Sequence, residues 1–202
     1  METYHAVGMP IPWLKRWFHA WLLTHRDGLV LMAEDMFWRK FLSNNKQLIS
    51  RTIPNGISLN ENYSVGEEQR ISYRDIVGIP KSCQFVIGSL GRMASDRKPW
   101  LYLPIFEQIA SVVGPDVHLV LAGDGPELDR MRALVKESDL QGRVHLPGIA
   151  LDPYVPFSIM DIYITLNVGP LTGVAAMEAA SSGVPVLAIQ LLPEYQQSPT
   201  DW

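Results

Sequence analysis

Cysteine is nearly absent: Cys83 stands alone in 202 residues. No intramolecular disulfide can form, which suits a reducing compartment. No apolar run reaches the roughly 18 residues that a bilayer-crossing helix needs. The N-terminus lacks the charged, apolar and cleavage regions of a secretory signal, so a cytoplasmic location is expected. Charge is sparse as well, at 19% of residues with a net of −4. A chain this mildly acidic does not hold nucleic acid by bulk electrostatics. What the sequence does have is apolar content, 47%. That supports a packed core and argues against disorder.

The charge is uneven. Residues 1–55 carry seven Lys/Arg against four Asp/Glu, whereas residues 56–202 carry ten against seventeen. In the basic quarter Trp13, Trp17 and Trp21 recur every four residues, with Leu14 and Phe18 widening the stripe and Lys15, Arg16 and His19 beside it. One reading is a helix packed on its own domain, the usual fate of an apolar stripe. The sharper reading is a helix resting on an anionic membrane surface, a peripheral contact through the three tryptophans.

Gly28–Met32 suits a buried strand and Glu34–Leu42 a helix. Ile53-Pro54-Asn55-Gly56 is a turn, because proline fixes one dihedral and Asn-Gly tolerates positive φ. The domain boundary is expected there. Residues 66–77 read as a helix ended by Gly78-Ile79-Pro80. From residue 84 strands and helices alternate. Strands are expected at Gln84–Leu90, Val117–Ala122, Arg143–Leu146, Asp161–Leu166 and Val184–Ile189. Helices are expected at about 101–112, 126–138 and 173–182, with a short one near 154–159. Pro99 and Pro104 blur the start of the first. The second has Pro126 in its first turn and an apolar face of Leu128, Met131, Leu134 and Val135. The pattern implies an α/β fold with a Rossmann-like parallel sheet covered on both faces. Such sheets bind ligands at the carboxyl ends of their strands.

Three motifs fall at those ends. Gly88-Ser-Leu-Gly91-Arg92, followed by Arg97-Lys98-Pro99, joins a strand to a helix. Glycine lets the backbone approach a ligand, and a helix N-terminus with cations beside it favours an anion. A solvated basic turn explains it equally. Ala122-Gly123-Asp124-Gly125-Pro126 ends the next strand, either clearing space above the sheet or capping the following helix through Asp124. The run from Gly173 to Val186 is a small-residue helix with Thr172 as a plausible N-cap and Glu178 as its only charge. That carboxylate either reaches solvent at the sheet edge or accepts hydrogen bonds from ligand hydroxyls such as a ribose offers.

Taken in order and spacing, Ile53-Pro-Asn-Gly-Ile, Gly91-Arg92 with Arg97-Lys98, Ala122-Gly-Asp-Gly-Pro and Glu178-Ala-Ala-Ser-Ser-Gly-Val-Pro-Val resemble the family 4 (group 1) glycosyltransferases of GT-B fold. Each motif alone is weak; their common register across residues 49–189 is specific. Upstream, Thr3-Tyr4-His5 resembles the family's Thr-x-His, and Arg26–Phe41 the segment leading to the hinge. The resemblance implies a division into residues 1–52, a remnant of the N-terminal acceptor-side domain, and 53–202, a C-terminal nucleotide-sugar-binding domain truncated at its end.

The resemblance also implies roles. Arg92 and Lys98, with Arg97 as the alternative to Lys98, would contact the pyrophosphate and stabilise the leaving group. Glu178 would bind the ribose. Gly91 and Gly123 line the donor side, Thr172 and Gly173 offer backbone N–H groups to phosphate, and Gly148 and Ile149 lie where the base pocket falls. His5 would lie beside the donor sugar, or is an ordinary residue at a frayed terminus. The implied reaction is sugar transfer with retention from a nucleoside-diphosphate sugar to a sugar, lipid-linked or glycan acceptor, in polysaccharide or glycolipid synthesis. The leaving phosphate takes the acceptor's proton. No cofactor is expected, and the absence of Asp-x-Asp argues against a metal-dependent class.

Departures from the pattern matter. The family's first Glu should stand eight residues before Glu178, at Pro170. Most of an N-terminal domain is missing, and the chain alone is expected to be inactive or nearly so. Two other readings stand beside the enzyme: a GT-B nucleotide-sugar epimerase, and a non-catalytic nucleotide-binding fragment or interaction module. A dinucleotide-binding oxidoreductase would need Gly-x-Gly-x-x-Gly, and Gly88-x-x-Gly91 matches it poorly.

Overall fold

The computed structural model describes residues 3–4, 18, 21, 28–31, 40, 42–44, 48–57, 65–150, 152, 154–167 and 173–190. His5, Trp13, Trp17, Pro170 and Thr172 lie outside the described residues, as does most of Arg26–Phe41. The chain divides into two compact units, Met1–Ile57 with Gly169–Val174, and Ser58–Val168 with Ala175–Trp202.

The first unit holds three parallel strands in the order β1 (Thr3–Tyr4), β2 (Gly28–Leu31) and β3 (Ile49–Thr52). Leu31 is buried, and its carbonyl accepts the Ile53 N–H at 2.7 Å, so pairing runs one residue past β3. The turn expected at Ile53-Pro54-Asn55-Gly56 is not formed: residues 53–57 have no turn or bend, and neither Asn55 nor Gly56 takes a positive φ. β3 was not expected. Its Ile-Ser-Arg-Thr sequence is mostly exposed and has no apolar alternation to betray it. Helical residues Lys40 and Leu42–Asn44 fall at and beyond the end of the expected helix. Phe18 and Trp21, both helical, stack at 6.1 Å and stand half exposed, so these two stripe residues are not core.

The second unit opens with α1 (Glu67–Val77). Gly78 ends it in the left-handed conformation, with its N–H on Asp75 and that of Ile79 on Arg74. Five strands follow, alternating with helices: β4 (Phe85–Leu90), α2 (Tyr102–Val113), β5 (Val117–Ala122), α3 (Leu128–Glu137), β6 (Val144–Gly148), α4 (Tyr154–Phe157), β7 (Ile162–Asn167), α5 (Val174–Ser181) and β8 (Val186–Gln190). All five strands are parallel, in the order β6-β5-β4-β7-β8.

The central strands read as continuous apolar runs because both faces are covered. One face buries Ile87, Phe106, Leu119, Leu121, Met131 and Ile164; the other buries Val86, Val120, Phe157, Tyr163, Ala176 and Ala179. Each large side chain taken fully from water contributes roughly 1.5–3 kcal/mol. The alanines on α5 let that helix lie close to the sheet.

Three departures from expectation have local reasons. β6 runs on through Pro147 to Gly148, because β6 is an edge strand and tolerates a residue that donates no N–H. α2 is preceded by two 3₁₀ turns, Ser95–Arg97 and Pro99–Leu101, and holds Pro104 in its first turn, where N–H groups lack an intrahelical acceptor. α3 begins at Leu128, after a turn that Pro126 helps to form.

The position of the site follows from the strand order. The chain leaves β4 towards β5 on one side and returns beyond it as β7 on the other, so β4 and β7 flank the switch point. They share a ladder only at Ile87 with Ile162 and Gly88 with Tyr163. Past those residues the two strands part, and each pairs only with its outer neighbour, β5 or β8.

Candidate functional site

The segment after β4 and the turn after β5 are laced together by backbone. Gly91 donates to the Ala122 carbonyl (3.0 Å), Met93 to that of Asp124 (2.8 Å), and Glu127 to that of Met93 (2.9 Å). Gly123 donates to the Gly148 carbonyl at the end of β6 (2.8 Å), extending the lacing across three strand ends.

The two glycines of Gly123-Asp124-Gly125 have φ of 140° and 150°. A Cβ on Gly123 would collide with the Gly91 carbonyl, and one on Gly125 with the Met93 carbonyl. Their first task is therefore to admit the neighbouring loop. Asp124 does not cap α3; its Oδ1 accepts the Gly125 N–H at 2.7 Å and holds its own turn, while Glu127 precedes the helix without a side-chain cap. Gly91 differs. It is exposed, and a Cβ there meets nothing within 4 Å, so the space above it is open.

The cations after β4 are arranged around one acid. Arg92 donates to Asp96 Oδ2 at 2.7 Å, and Arg97 Nε lies 3.7 Å from the same oxygen. Both arginines are largely exposed. In water such pairs add little stability, but they hold the guanidinium groups in place. Lys98 differs again. It is buried, at 6% exposure, and sits at φ 50° and ψ 53°, a left-handed conformation that a side chain seldom adopts. Burial pulls its ammonium below the ordinary lysine range. Three cations and one acid leave this turn with a local charge of +2.

Glu178 lies in the second turn of α5 and is half buried. Its carbonyl accepts the hydroxyls of Ser181 (2.8 Å) and Ser182 (2.9 Å) and the Ser182 N–H (3.0 Å). The carboxylate makes no hydrogen bond or ion pair among the described residues. It is close enough to Tyr163 to add to that phenol's raised pKa. Gly173 precedes the helix and is exposed, as is Ile149 after β6. Among the described candidates, Gly91, Arg92, Arg97, Lys98, Gly123, Gly148, Ile149 and Glu178 thus follow the carboxyl ends of β4, β5, β6 and β7 on one edge of the sheet.

Two arrangements were not legible beforehand. Ser89, Tyr102 and Tyr163 form a hydroxyl cluster where β4 and β7 part. Farther down the sheet, His118 Nδ1 lies 2.9 Å from His145 Nε2, joining β5 to β6 near α1. Burial foremost, then its partner's charge, lowers His145 to about 4; burial and the nearby Arg143 and Arg74 lower His118. Sequence separation hides both, since neither puts its members within one motif.

Comparison with known proteins bears on the family and the fold. A family model described as "Glycosyl transferases group 1" matches residues 84–198. The alpha-monoglucosyldiacylglycerol synthase of Streptococcus pneumoniae is 27% identical over 191 residues, 92% of this chain and 42% of the relative. The 2-deoxystreptamine glucosyltransferase of Streptomyces kanamyceticus is 27% identical over 169 residues, 82% of this chain and 41% of the relative. The chain thus spans about two fifths of the length of these curated relatives. Among solved structures, Anabaena HepE in complex with UDP-glucose superposes with a TM-score of 0.74 at 19% identity, over 92% of this chain and 52% of that one. At that identity the likeness is one of fold.

Proposed function

The chain belongs to the group 1 glycosyltransferases, and from that membership we propose that it supplies the donor-binding part of an enzyme that moves a sugar from a nucleoside-diphosphate sugar to an acceptor. The observation that carries the reading is the gathering of Arg92, Lys98 and Glu178 with the open turn at Gly91 at the carboxyl edge of the sheet. The cationic turn after β4 receives the diphosphate. Asp96 holds Arg92 and Arg97 facing it, and Lys98 brings a desolvated ammonium whose charge an anion would favour. As the glycosidic bond breaks, negative charge grows on the leaving diphosphate, and fixed cations lower that barrier. Glu178 takes the ribose hydroxyls, and Gly148 with Ile149 forms the base side.

Transfer is proposed to proceed with retention and without a metal. The diphosphate carries the leaving charge and accepts the acceptor's proton, so no protein base is needed. Residues 53–202 are read as the donor domain and residues 1–52 as part of the acceptor side, with His5 beside the sugar. A uridine nucleotide is the first donor to test, since the HepE structure holds UDP-glucose. A lipid acceptor is favoured by the half-exposed Phe18 and Trp21, which lie on the stripe proposed to touch a membrane, and by the glycolipid named in the pneumococcal relative. Pro170, standing where the family places a carboxylate, favours a second reading, a nucleotide-binding module without turnover.

Calorimetry with uridine diphosphate and with inorganic pyrophosphate tests the reading. Arg92→Ala should weaken both ligands by about 1.5–3 kcal/mol, the usual worth of a charge-assisted hydrogen bond. Glu178→Gln should weaken uridine diphosphate and spare pyrophosphate. Equal affinity of wild type and Arg92→Ala for both ligands would sink the assignment. Labelled nucleotide-sugar then separates transfer or hydrolysis from binding alone.

A further inference from the structure

Beyond Gly88 and Tyr163, β4 and β7 have no ladder between them, yet their ends must stand at a fixed spacing if a ligand is to touch both. Side-chain hydroxyls occupy this gap. Tyr102, the first residue of α2, receives the Leu166 N–H of β7 at 3.4 Å, and its hydroxyl lies 2.8 Å from that of Ser89 on β4. Separately, the Tyr163 hydroxyl of β7 donates to the Leu90 carbonyl of β4 at 3.0 Å. Two bridges thus cross the gap, one from Leu166 through Tyr102 to Ser89 and one from Tyr163 to Leu90. Each of the three hydroxyls has a hydrogen-bond partner, as buried polar groups require.

We propose that Tyr102 and Tyr163 are positioning residues: Tyr102 through Ser89, and Tyr163 through the Leu90 carbonyl, clamp the parting ends of β4 and β7 and set the width of the crevice that holds the nucleoside diphosphate. The proposal rests on the donor-site reading given above. Its force lies in where the bridges end. The Leu90 carbonyl belongs to the peptide that leads into Gly91 and Arg92. The Leu166 N–H lies just before the connection that leads to α5 and Glu178. One bridge therefore fixes the cationic turn and the other fixes the approach to the ribose acid. Burial foremost pushes the Tyr163 phenol up to about 12, and burial raises Tyr102 as well, so the clamp stays neutral at physiological pH.

A ligand that spans the crevice should feel its width, and one held on the β4 side alone should not. Tyr163→Phe removes one oxygen and leaves the Leu90 carbonyl without its donor; Tyr102→Phe does the same for the Leu166 N–H. Affinities for uridine diphosphate and inorganic pyrophosphate are measured at a temperature where circular dichroism shows each protein fully folded. The expected result is a loss of roughly tenfold for uridine diphosphate with Tyr163→Phe, a smaller loss with Tyr102→Phe, and unchanged pyrophosphate binding in both. Unchanged uridine diphosphate binding, or an equal loss for both ligands, overturns the clamp. Arg92→Ala measured alongside separates the two ideas. If Arg92→Ala weakens both ligands and Tyr163→Phe weakens neither, the donor site stands and the clamp falls. If Arg92→Ala also changes nothing, both fall. Should Tyr163→Phe not fold, Ser89→Ala breaks the Tyr102 bridge while keeping both rings and must give a selective loss of uridine diphosphate like that of Tyr102→Phe.

Discussion

Gly123→Ala should cost about 3–5 kcal/mol of folding stability, whereas Gly91→Ala should cost less than about 1 kcal/mol. Both glycines follow strand ends and look alike in the sequence, but their surroundings differ. Gly123 has φ 140°, which strains any residue with a Cβ, and the added methyl would collide with the Gly91 carbonyl. Relief would require pulling the β4 segment off the β5 turn and breaking the bonds from Gly91 to Ala122 and from Met93 to Asp124. Gly91 faces open space, so its methyl meets only what binds there. Gly91→Ala should therefore keep its stability and bind uridine diphosphate more weakly. Urea unfolding of the two variants checks the contrast; a Gly123→Ala protein within about 1 kcal/mol of wild type would refute it.

The second large effect is a loss of stability in mild acid, centred on His118 and His145. His145 has a folded pKa of about 4 against an ordinary 6.5, because burial and then His118 disfavour its charge. A histidine depressed in this way contributes stability that is fully present above pH 6.5. That stability is lost as pH falls from there towards 4, because the unfolded chain takes up the proton first. From His145 alone the loss at pH 5, relative to pH 8, is about 2 kcal/mol. His118 adds in the same direction, since it is nine-tenths buried with Arg143 and Arg74 opposing its charge and only Asp116 favouring it. Urea midpoints at the two pH values give the measurement. His145→Gln keeps a donor and an acceptor but cannot titrate, and it should remove most of the dependence. Carboxylates titrating in the same range would leave the slope unchanged in that variant, which is the contrary result.

The sheet was legible in the sequence because β4, β5 and β7 are buried on both faces and therefore read as apolar runs. β3 was not, because Ile-Ser-Arg-Thr is exposed and carries no period. β6 extends past the expected Arg143–Leu146 through Pro147, and only the strand order reveals that it lies at an edge, where a proline is tolerated. Of the candidate site, the residues that lie within single motifs could be nominated from the sequence: Arg92 with Lys98, Gly123, and Glu178. Their distinctions could not. That Lys98 is buried while Arg97 is exposed depends on the 3₁₀ turns between β4 and α2. That Gly123 serves the neighbouring loop depends on two strands meeting side by side. The clamp of Ser89, Tyr102 and Tyr163 and the pair of His118 and His145 are products of topology, drawn from residues far apart in the chain.

The central claim is that this edge of the sheet holds a nucleoside diphosphate, and a crystal structure of the protein with uridine diphosphate tests it most directly. The account predicts diphosphate oxygens within hydrogen-bond distance of Arg92 and Lys98, ribose hydroxyls on the Glu178 carboxylate, and the base beside Gly148 and Ile149. A nucleotide bound elsewhere, or bound here with its ribose turned away from Glu178, would contradict it.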